Sequence, residues 1–282
     1  MDTTTCSSTG CWRVTMSRLQ KLSLYVFCVF VVLSIALSYL MGATLFEKQD
    51  KPWHMLPFTD ADSLTAEYTD SYELLGRQSL FGKFGDSTRT TVVVLVDAWG
   101  VPFEPQFLRE DFAVFNDVPH KEYLHRRLAN RSRHAEFSEL RINRVARNSA
   151  ELGDSVVSSG IYLFGGDSLE YGRNLYIDSL GYGERLFCQK CPDSVMAIAL
   201  DSVLSTVAGD SASPVKHIAW TTQDSRDGDR AKLHATLGRI ADVARRHPEV
   251  RFIVQGTHRP TLGDPKIRRE SFTHWVPAIV LN

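Results

Sequence analysis

The longest apolar stretch of the chain lies near its N-terminus. Residues 22–46 are 25 consecutive positions without a charged side chain, and about 20 apolar residues in a helix cross the ~30 Å hydrocarbon core of a bilayer. Arg13, Arg18 and Lys21 precede the stretch, whereas charges of both signs follow it. Because basic side chains favour the cytoplasmic side, the pattern predicts a transmembrane helix over 22–46 after a short cytoplasmic segment, residues 1–21.

A cleaved secretory signal is the alternative interpretation of this stretch. The apolar region of a signal peptide is typically about 7–15 residues long and ends at a cleavage site of small residues. The present stretch is longer, and Met41-Gly42-Ala43 matches such a site poorly. The pattern therefore favours a retained single-pass anchor in the bilayer, with the rest of the chain outside the cytoplasm, as in the periplasm at a bacterial inner membrane.

After the apolar stretch, a polar segment leads into apolar runs that alternate with helical patterns. Residues 47–89 show no sustained period and are predicted to be a stalk or linker. Short runs typical of buried strands occupy 91–96, 160–164, 217–220, 251–254 and 276–281. Helical patterns occupy 120–129, 193–208 and 229–247. Strands that alternate with helices predict an α/β domain over 90–282, with a mostly parallel sheet between layers of helices.

The charge balance and the cysteine content limit the kinds of partner and site that the chain can have. The chain has 32 Lys and Arg against 33 Asp and Glu, so it lacks the basic excess that nucleic-acid binding requires, and we expect no nucleic-acid partner. Two of its five cysteines, Cys188 and Cys191, lie in the predicted domain. One C-x-x-C pair supplies only two of the four ligands of a structural zinc site. A local disulfide is therefore favoured over a zinc site or a redox motif.

Side chains that bind metals follow two of the predicted strands. Asp97 comes directly after the run 91–96, and His258 follows the run 251–254. Because ligands bind beyond the carboxyl ends of parallel strands, we expect these side chains to lie at one edge of the sheet. A carboxylate and an imidazole can share one zinc ion. A loop-capping role for Asp97 and a hydrogen-bonded loop role for His258 are the structural alternatives.

Five motifs, in their order along the chain, resemble the alkaline phosphatase superfamily, which includes sulfatases, lipoteichoic acid synthases and bacterial phosphoethanolamine transferases. VVVLVDAWG resembles the opening strand of that family. FIVQGTHRP resembles its strand ending in Gly-Asp-His, and NRSRHAEF resembles the segment that carries the nucleophile. Residues 160–187 and 219–225 resemble two further strand regions. The likeness covers roughly residues 90–282 and implies a sulfatase-like domain.

The resemblance implies a site and a reaction. It assigns Asp97, Ser132 and His258 as metal ligands, and Ser132 also as the nucleophile that attacks a phosphate or sulfate ester. Thr257 stands at a ligand position where the family has Asp, and Arg226 stands where it has His. The implied cofactor is a divalent metal: zinc, with magnesium, manganese or calcium as alternatives. Loss of the metal also stays open, because Thr257 brings no charge.

These expectations lead to two functional hypotheses. The first is a membrane-anchored, metal-dependent sulfatase-like hydrolase or phosphotransferase, in which Ser132 and Arg226 are catalytic and the substrate is a lipid-linked or cell-envelope ester. The second, motivated by Thr257 and Arg226, is a degenerate protein of the same fold with a binding or scaffolding role. An anchor that carries an unrelated α/β domain is a third class. Asn130-Arg-Ser also matches an N-glycosylation acceptor, which matters only in a eukaryotic secretory pathway.

Overall fold

The chain forms two compact units, Met1–His54 and Met55–Asn282. The computed structural model describes residues 3–7, 10–14, 18–45, 62–85, 89–129, 131–140, 160–166, 173–207, 217–260 and 270–282. Asn130, and with it the side chain of the predicted glycosylation acceptor, lies outside the described residues, as do residues 47–61 of the predicted stalk.

The first unit contains a short hairpin and a long helix. Strands β1 (Thr3–Ser7) and β2 (Gly10–Val14) pair antiparallel. Helix α1 (Arg18–Leu45) covers all but the last residue of the predicted apolar span. Its described apolar side chains are exposed, Tyr25 and Phe30 by 71% and 68%. Within the part of the chain that the structure describes, no helix combines the length and apolar character needed to cross a membrane.

The second unit is built on an eight-stranded sheet. Its strands are β3 (Glu73–Leu75), β4 (Thr91–Val96), β5 (His120–Arg126), β6 (Gly160–Phe164), β7 (Glu184–Phe187), β8 (His217–Thr221), β9 (Arg251–Gly256) and β10 (Trp275–Leu281). They lie in the order β3-β5-β10-β9-β4-β8-β6-β7. Only β10 runs antiparallel to its two neighbours, and the other pairs are parallel. The predicted mostly parallel α/β sheet is confirmed.

Helices cover both faces of this sheet. They are α2 (Ala66–Ser71), α3 (Leu80–Phe84), α4 (Pro105–Ala113), α5 (Ser132–Glu139), α6 (Arg173–Leu180), α7 (Asp193–Val207) and α8 (Arg230–Arg246). Successive residues of β4 alternate between two apolar cores: Val94 packs with α4, α7 and α8, and Val93 packs with α3, α5 and α6. A strand buried on both faces requires this near-continuous apolar sequence.

Two segments differ from the sequence-based expectations. The helix predicted over 120–129 is wrong, because this segment forms β5 and pairs in register with β10. The stalk predicted over 47–89 differs from the structure at its C-terminal end: α2, β3 and α3 lie there, and Tyr68, Leu80 and Phe81 are buried in the cores. These short elements were not predicted because their few apolar residues are isolated among polar ones and show no sustained period.

The C-x-x-C pair follows β7. Cys188 and Cys191 form a disulfide, as predicted. The backbone N–H of Cys191 donates to the carbonyl of Gly165 at 3.0 Å, so the disulfide turn is joined to the end of β6. The disulfide therefore closes a turn beside the C-terminal end of β6.

Candidate functional site

The predicted site residues come from four neighbouring segments at the carboxyl edge of the sheet. Asp97 directly follows β4, which is the central strand between β9 and β8. Thr257 and His258 directly follow β9, and Arg226 lies in the loop after β8. Ser132 is the first residue of α5. Because β9, β4 and β8 are parallel, their loops meet at one edge, as expected for a ligand site of an open α/β sheet.

One oxygen of Asp97 is the centre of this group. Its Oδ1 accepts hydrogen bonds from Ser132 Oγ at 2.7 Å and from Thr257 Oγ1 at 2.8 Å. His258 Nε2 lies 3.3 Å from the same oxygen and 3.0 Å from Ser132 Oγ. The structure thus brings together side chains that are up to 161 positions apart in sequence (258 minus 97). Asp97 and His258 are both buried, and Thr257 is fully buried.

The second oxygen of Asp97 faces a cation. Arg226 Nε donates to Asp97 Oδ2 at 3.4 Å, and 27% of the Arg226 side chain is exposed. The guanidinium therefore lies between the buried carboxylate and the solvent. A partly exposed guanidinium at this position can bind an incoming anion through charge-assisted hydrogen bonds.

The loop after β4 and the loop after β9 converge because their backbones pass very close to each other. A Cβ at Gly256 would lie 1.8 Å from the carbonyl oxygen of Trp99, and a Cβ at Gly100 would lie 2.6 Å from Cα of Arg259. Only glycine allows such close approach of two backbones. Between them, Ala98 has φ of 57°, a left-handed conformation that is rare outside glycine and concentrates at functional sites.

Hydrogen bonds fix the tautomer of His258. Its Nδ1 lies 2.6 Å from the carbonyl oxygen of Arg259, which can only accept, so Nδ1 carries a proton. A neutral imidazole then directs the lone pair of Nε2 towards Ser132 and Asp97. Two acceptors, Nε2 and Asp97 Oδ1, would face each other with one hydroxyl proton to share. A second proton on Nε2, or a metal ion, removes this repulsion.

The pKa of Asp97 reports the same environment. Burial raises this pKa, but the hydrogen bond and charge that His258 supplies when its Nε2 is protonated, with the hydrogen bonds from Ser132 and Thr257, outweigh burial and hold it well below its usual value. The carboxyl is therefore ionised across the physiological pH range. An ionised carboxylate is the form that orients a serine hydroxyl or ligates a cation.

Sequence reasoning missed the residue that holds the Arg226 loop. Asp193 opens α7, and its sequence context indicates only a helix cap. In the structure, its carboxylate accepts from the backbone N–H groups of Gln223 and Asp224 at 2.9 and 3.0 Å, and from Thr236 Oγ1 at 3.0 Å. Burial raises the pKa of Asp193 to about 6. Asp193 therefore fixes the loop from which Arg226 reaches Asp97.

A buried ionic cluster anchors α5, the helix that begins at Ser132, and sequence reasoning also missed this cluster. Glu136, one turn after Ser132 on α5, accepts from Arg173 Nε and Nη2 at 3.1 and 2.9 Å and from the Tyr162 hydroxyl at 3.1 Å. The Tyr176 hydroxyl donates to its second oxygen. Glu136 is fully buried. Its spacing of four from Ser132 was the one available signal, because residues four apart share a helix face.

The donor set can be compared with a metal site. Among the described residues, no group of three or more His, Cys, Asp or Glu side chains is arranged to hold a metal ion. Asp97, Ser132 and His258 nevertheless supply a carboxylate, a hydroxyl and an imidazole, with donor atoms 2.7–3.3 Å apart. Zinc bonds of ~2.0 Å at tetrahedral angles place donor atoms ~3.3 Å apart. The three residues fit a small divalent ion in donor type, with a single negative charge, and the Ser132–Asp97 pair lies ~0.6 Å closer than tetrahedral zinc spacing.

Comparisons with known proteins agree with this fold. No protein-family model and no curated protein matches the chain. Among solved structures, an alkaline phosphatase superfamily protein from Vibrio parahaemolyticus is similar, with a TM-score of 0.50 and 9% identity, over 70% of this chain. The aligned part is 60% of the Vibrio chain. At such low identity, the likeness shows the fold alone.

Two further solved structures are also similar. The C-terminal periplasmic domain of EptC from Escherichia coli has a TM-score of 0.44 and 11% identity, over 74% of this chain and 76% of that one. The lipoteichoic acid synthase LtaP from Listeria monocytogenes has a TM-score of 0.44 and 7% identity, over 79% of this chain and 69% of that one. Of these three structures, the Vibrio protein is the one described as a member of the alkaline phosphatase superfamily.

Proposed function

We propose that this protein cleaves or transfers a phosphate or sulfate ester through Ser132, with a divalent metal ion, most suitably zinc, held by Asp97, Ser132 and His258. The observation that carries the proposal is the contact of Ser132 Oγ with Asp97 Oδ1 at 2.7 Å and with His258 Nε2 at 3.0 Å. A bound metal ion would lower the pKa of the serine hydroxyl and neutralise charge on the ester. The alkaline phosphatase fold is a fitting scaffold for this chemistry.

The residues around Ser132 have separate roles in this proposal. Asp97 orients the Ser132 hydroxyl, and Thr257 holds Asp97 in place through its own 2.8 Å hydrogen bond. Ser132 opens α5, so the free N–H groups and positive end of the helix dipole lie beside the nucleophile. Arg226 binds the non-bridging oxygens of the ester, where negative charge must be stabilised in the transition state. Together they bind, orient and neutralise an anionic ester.

We also propose that the protein is a single-pass membrane protein with its α/β unit outside the cytoplasm. The charge-free run 22–46 and the exposed apolar side chains of α1 support the anchor. The Cys188–Cys191 disulfide supports an oxidising compartment, such as the bacterial periplasm. A lipid-linked or cell-envelope ester would be within reach of a domain held at the membrane surface.

The test is the activity and covalent chemistry of the 282-residue chain. With zinc added, we expect hydrolysis of an aryl phosphate or an aryl sulfate and a trapped ester on Ser132, detected by mass spectrometry of peptides. Ser132→Ala should lower kcat at least about 100-fold, as expected when a nucleophile is removed. The matched control is Ser205→Ala, which removes an exposed hydroxyl that donates only within α7. Equal activity of Ser132→Ala and wild type would refute the proposal.

A second function is favoured by the contact between Arg226 and Asp97. A guanidinium beside the single carboxylate lowers the attraction of the site for a divalent cation, and Thr257 adds no charge. Under this alternative, the protein binds an anionic ester without cleaving it. Metal content of the purified chain distinguishes the two functions: about one zinc per chain supports catalysis, and a metal-free chain that binds the ester supports the binding role.

A further inference from the structure

Helix α5 carries Ser132 but takes no part in the hydrogen-bonded ladder of the sheet. Asp97 and His258 directly follow β4 and β9, which pair with each other along Thr91–Val96. The ladder therefore fixes the strands that lead to these two residues, whereas a helix packs on a sheet through its side chains. The 3.0 Å contact of Ser132 Oγ with His258 Nε2 thus depends on the side chains that join α5 to β9.

The Arg127 side chain joins these two elements. Arg127 directly follows β5, and only 4% of its side chain is exposed. Its Nη1 donates to Oε1 of Glu139, the last residue of α5, at 2.8 Å. Its Nη2 donates to the carbonyl oxygen of Gly256, the last residue of β9, at 2.8 Å, and to Gln255 Oε1 at 3.0 Å. Because the guanidinium is planar and rigid, its two arms hold the ends of α5 and β9 at a fixed separation.

The groups around this guanidinium are themselves held in place. Glu139 is buried, and its Oε2 accepts from the backbone N–H of Leu80, at the start of α3, at 2.8 Å. Gln255 is fully buried within the paired part of β9. The backbone N–H of Arg127 donates to the carbonyl of His274 at 2.7 Å. A change in the guanidinium contacts therefore moves α5 relative to β9, because no loose segment lies between them to absorb it.

Both elements lead directly to side chains of the candidate site. Gly256 is followed by Thr257 and His258. Glu139 ends the eight-residue helix that begins at Ser132, and a helix of this length is a stiff unit about 12 Å long. A shift at the C-terminal end of α5 is therefore passed on to Ser132.

Stability alone does not account for the buried pair of Arg127 and Glu139. Taking a guanidinium and a carboxylate out of water offsets much of their mutual attraction, and apolar residues in place of a buried ion pair often leave stability unchanged or higher. Apolar residues cannot supply direction, whereas a guanidinium makes hydrogen bonds of defined geometry to two elements at once. The pair is therefore suited to set the separation of α5 and β9.

We propose that Arg127 is a positioning residue, which joins Glu139 to Gly256 and thereby holds Ser132 Oγ within hydrogen-bond distance of His258 Nε2. This role rests on the proposed function, because the reaction at Ser132 is what makes the distance important. Arg127 acts through α5 and β9 and not by contact with the ester. A misplacement of ~1 Å can lower a reaction rate about 100-fold. Loss of the two-armed contact should therefore slow the chemical step more than it weakens binding of the ester.

The kinetic test uses the 282-residue chain with zinc and an aryl phosphate or aryl sulfate. Arg127→Lys keeps the charge, but one ammonium group does not replace two arms of a guanidinium. The double substitution Arg127→Met/Glu139→Gln removes both charges and keeps an amide oxygen that can accept from Leu80. Each should lower kcat at least about 10-fold and leave KM within about 3-fold of wild type. The control Leu204→Ala, at a fully buried position of α7, lowers stability by leaving a cavity and should change neither constant.

A structural measurement separates failure of this role from failure of the proposed function. Metal-free crystal structures of wild type and Arg127→Lys give the distance from Ser132 Oγ to His258 Nε2, whether or not the chain is active. We expect 3.0 Å in wild type and an increase of about 1 Å or more in the variant. An inactive wild type would refute the proposed function, and the two distances would still decide whether Arg127 positions Ser132.

Three results would overturn the positioning role. The first is an unchanged distance in Arg127→Lys. The second is wild-type kcat in Arg127→Lys or in the double variant. The third is an equal loss of kcat in Leu204→Ala, because the effect would then follow from reduced stability and not from the geometry of the site.

Discussion

Replacing Thr257 with Asp tests whether the candidate site can accept a second charged ligand. Thr257 Oγ1 lies 2.8 Å from Asp97 Oδ1, so the new carboxylate would lie ~3 Å from a buried carboxylate. Two like charges at that distance repel by ~5 kcal/mol at an effective dielectric constant of ~20. Protonating one of them at pH 7 instead costs ~4 kcal/mol, given an unfolded pKa of ~3.9. Thr257→Asp should therefore lose about 4 kcal/mol of stability at pH 7 without metal.

Zinc should reverse much of this loss. A cation that binds only the folded state stabilises it by ~2.7 kcal/mol at 100 times its dissociation constant. The assay is urea unfolding of the 282-residue chain at increasing free zinc, with a chelator as the zero point. Thr257→Asn is the matched control, because it has nearly the same shape without the charge, and it also corrects for zinc bound by the unfolded chain.

The decisive measurement is the difference in zinc stabilisation between Thr257→Asp and Thr257→Asn. Zinc should stabilise Thr257→Asp by at least about 2 kcal/mol more than Thr257→Asn, in line with the linkage relation. The destabilisation of Thr257→Asp without metal should also decrease as the pH falls from 7 towards 4, since protonation relieves the repulsion. If zinc stabilises both variants equally, position 257 does not face the same point as Asp97, and the proposed ligand geometry is refuted.

Two further predictions concern residues that support the site. Glu136→Gln and Arg173→Met should each lower the free energy of unfolding by about 3 kcal/mol or more, because each leaves a buried group unpaired. Their double mutant should be more stable than the sum of the two single losses predicts. Additive losses in urea unfolding would contradict the pairing. The pKa of Asp193 is raised to about 6, so the protonated carboxyl favours the folded state. The resulting stabilisation is complete below pH ~4 and is lost as the pH rises through ~6. The stability of wild type relative to Asp193→Asn should therefore fall by about 2–3 kcal/mol between pH 4 and pH 7, and a pH-independent difference would refute the assignment.

Much of the fold follows from local sequence patterns. The β-branched run at 91–96 and the amphipathic pattern at 229–247 identify β4 and α8, because burial on two faces or on one face leaves a clear period. By contrast, β5 was predicted as a helix. Its sequence, HKEYLHR, is polar at one end and buried at the other, and only its pairing with β10 decides its conformation.

The candidate site was predictable where residues directly follow strands. Asp97 and His258 could be placed at one edge because each follows a predicted strand of a parallel sheet, and the structure brings them together with Ser132. The roles of Asp193 and Glu136 were not predictable, because each acts through partners that are distant in sequence. A hydrogen bond between two distant segments produces no repeating hydrophobic pattern in the sequence of either segment.

The close backbone contacts at Gly100 and Gly256 have a consequence for how this protein can change. Because the main chains of the two loops meet without side chains between them, this contact holds together the two loops that carry residues 97, 257 and 258. Donor atoms can then be exchanged one at a time on a fixed frame. A substitution at position 257 would then change the donor set of this edge while Gly100 and Gly256 keep the two loops in contact.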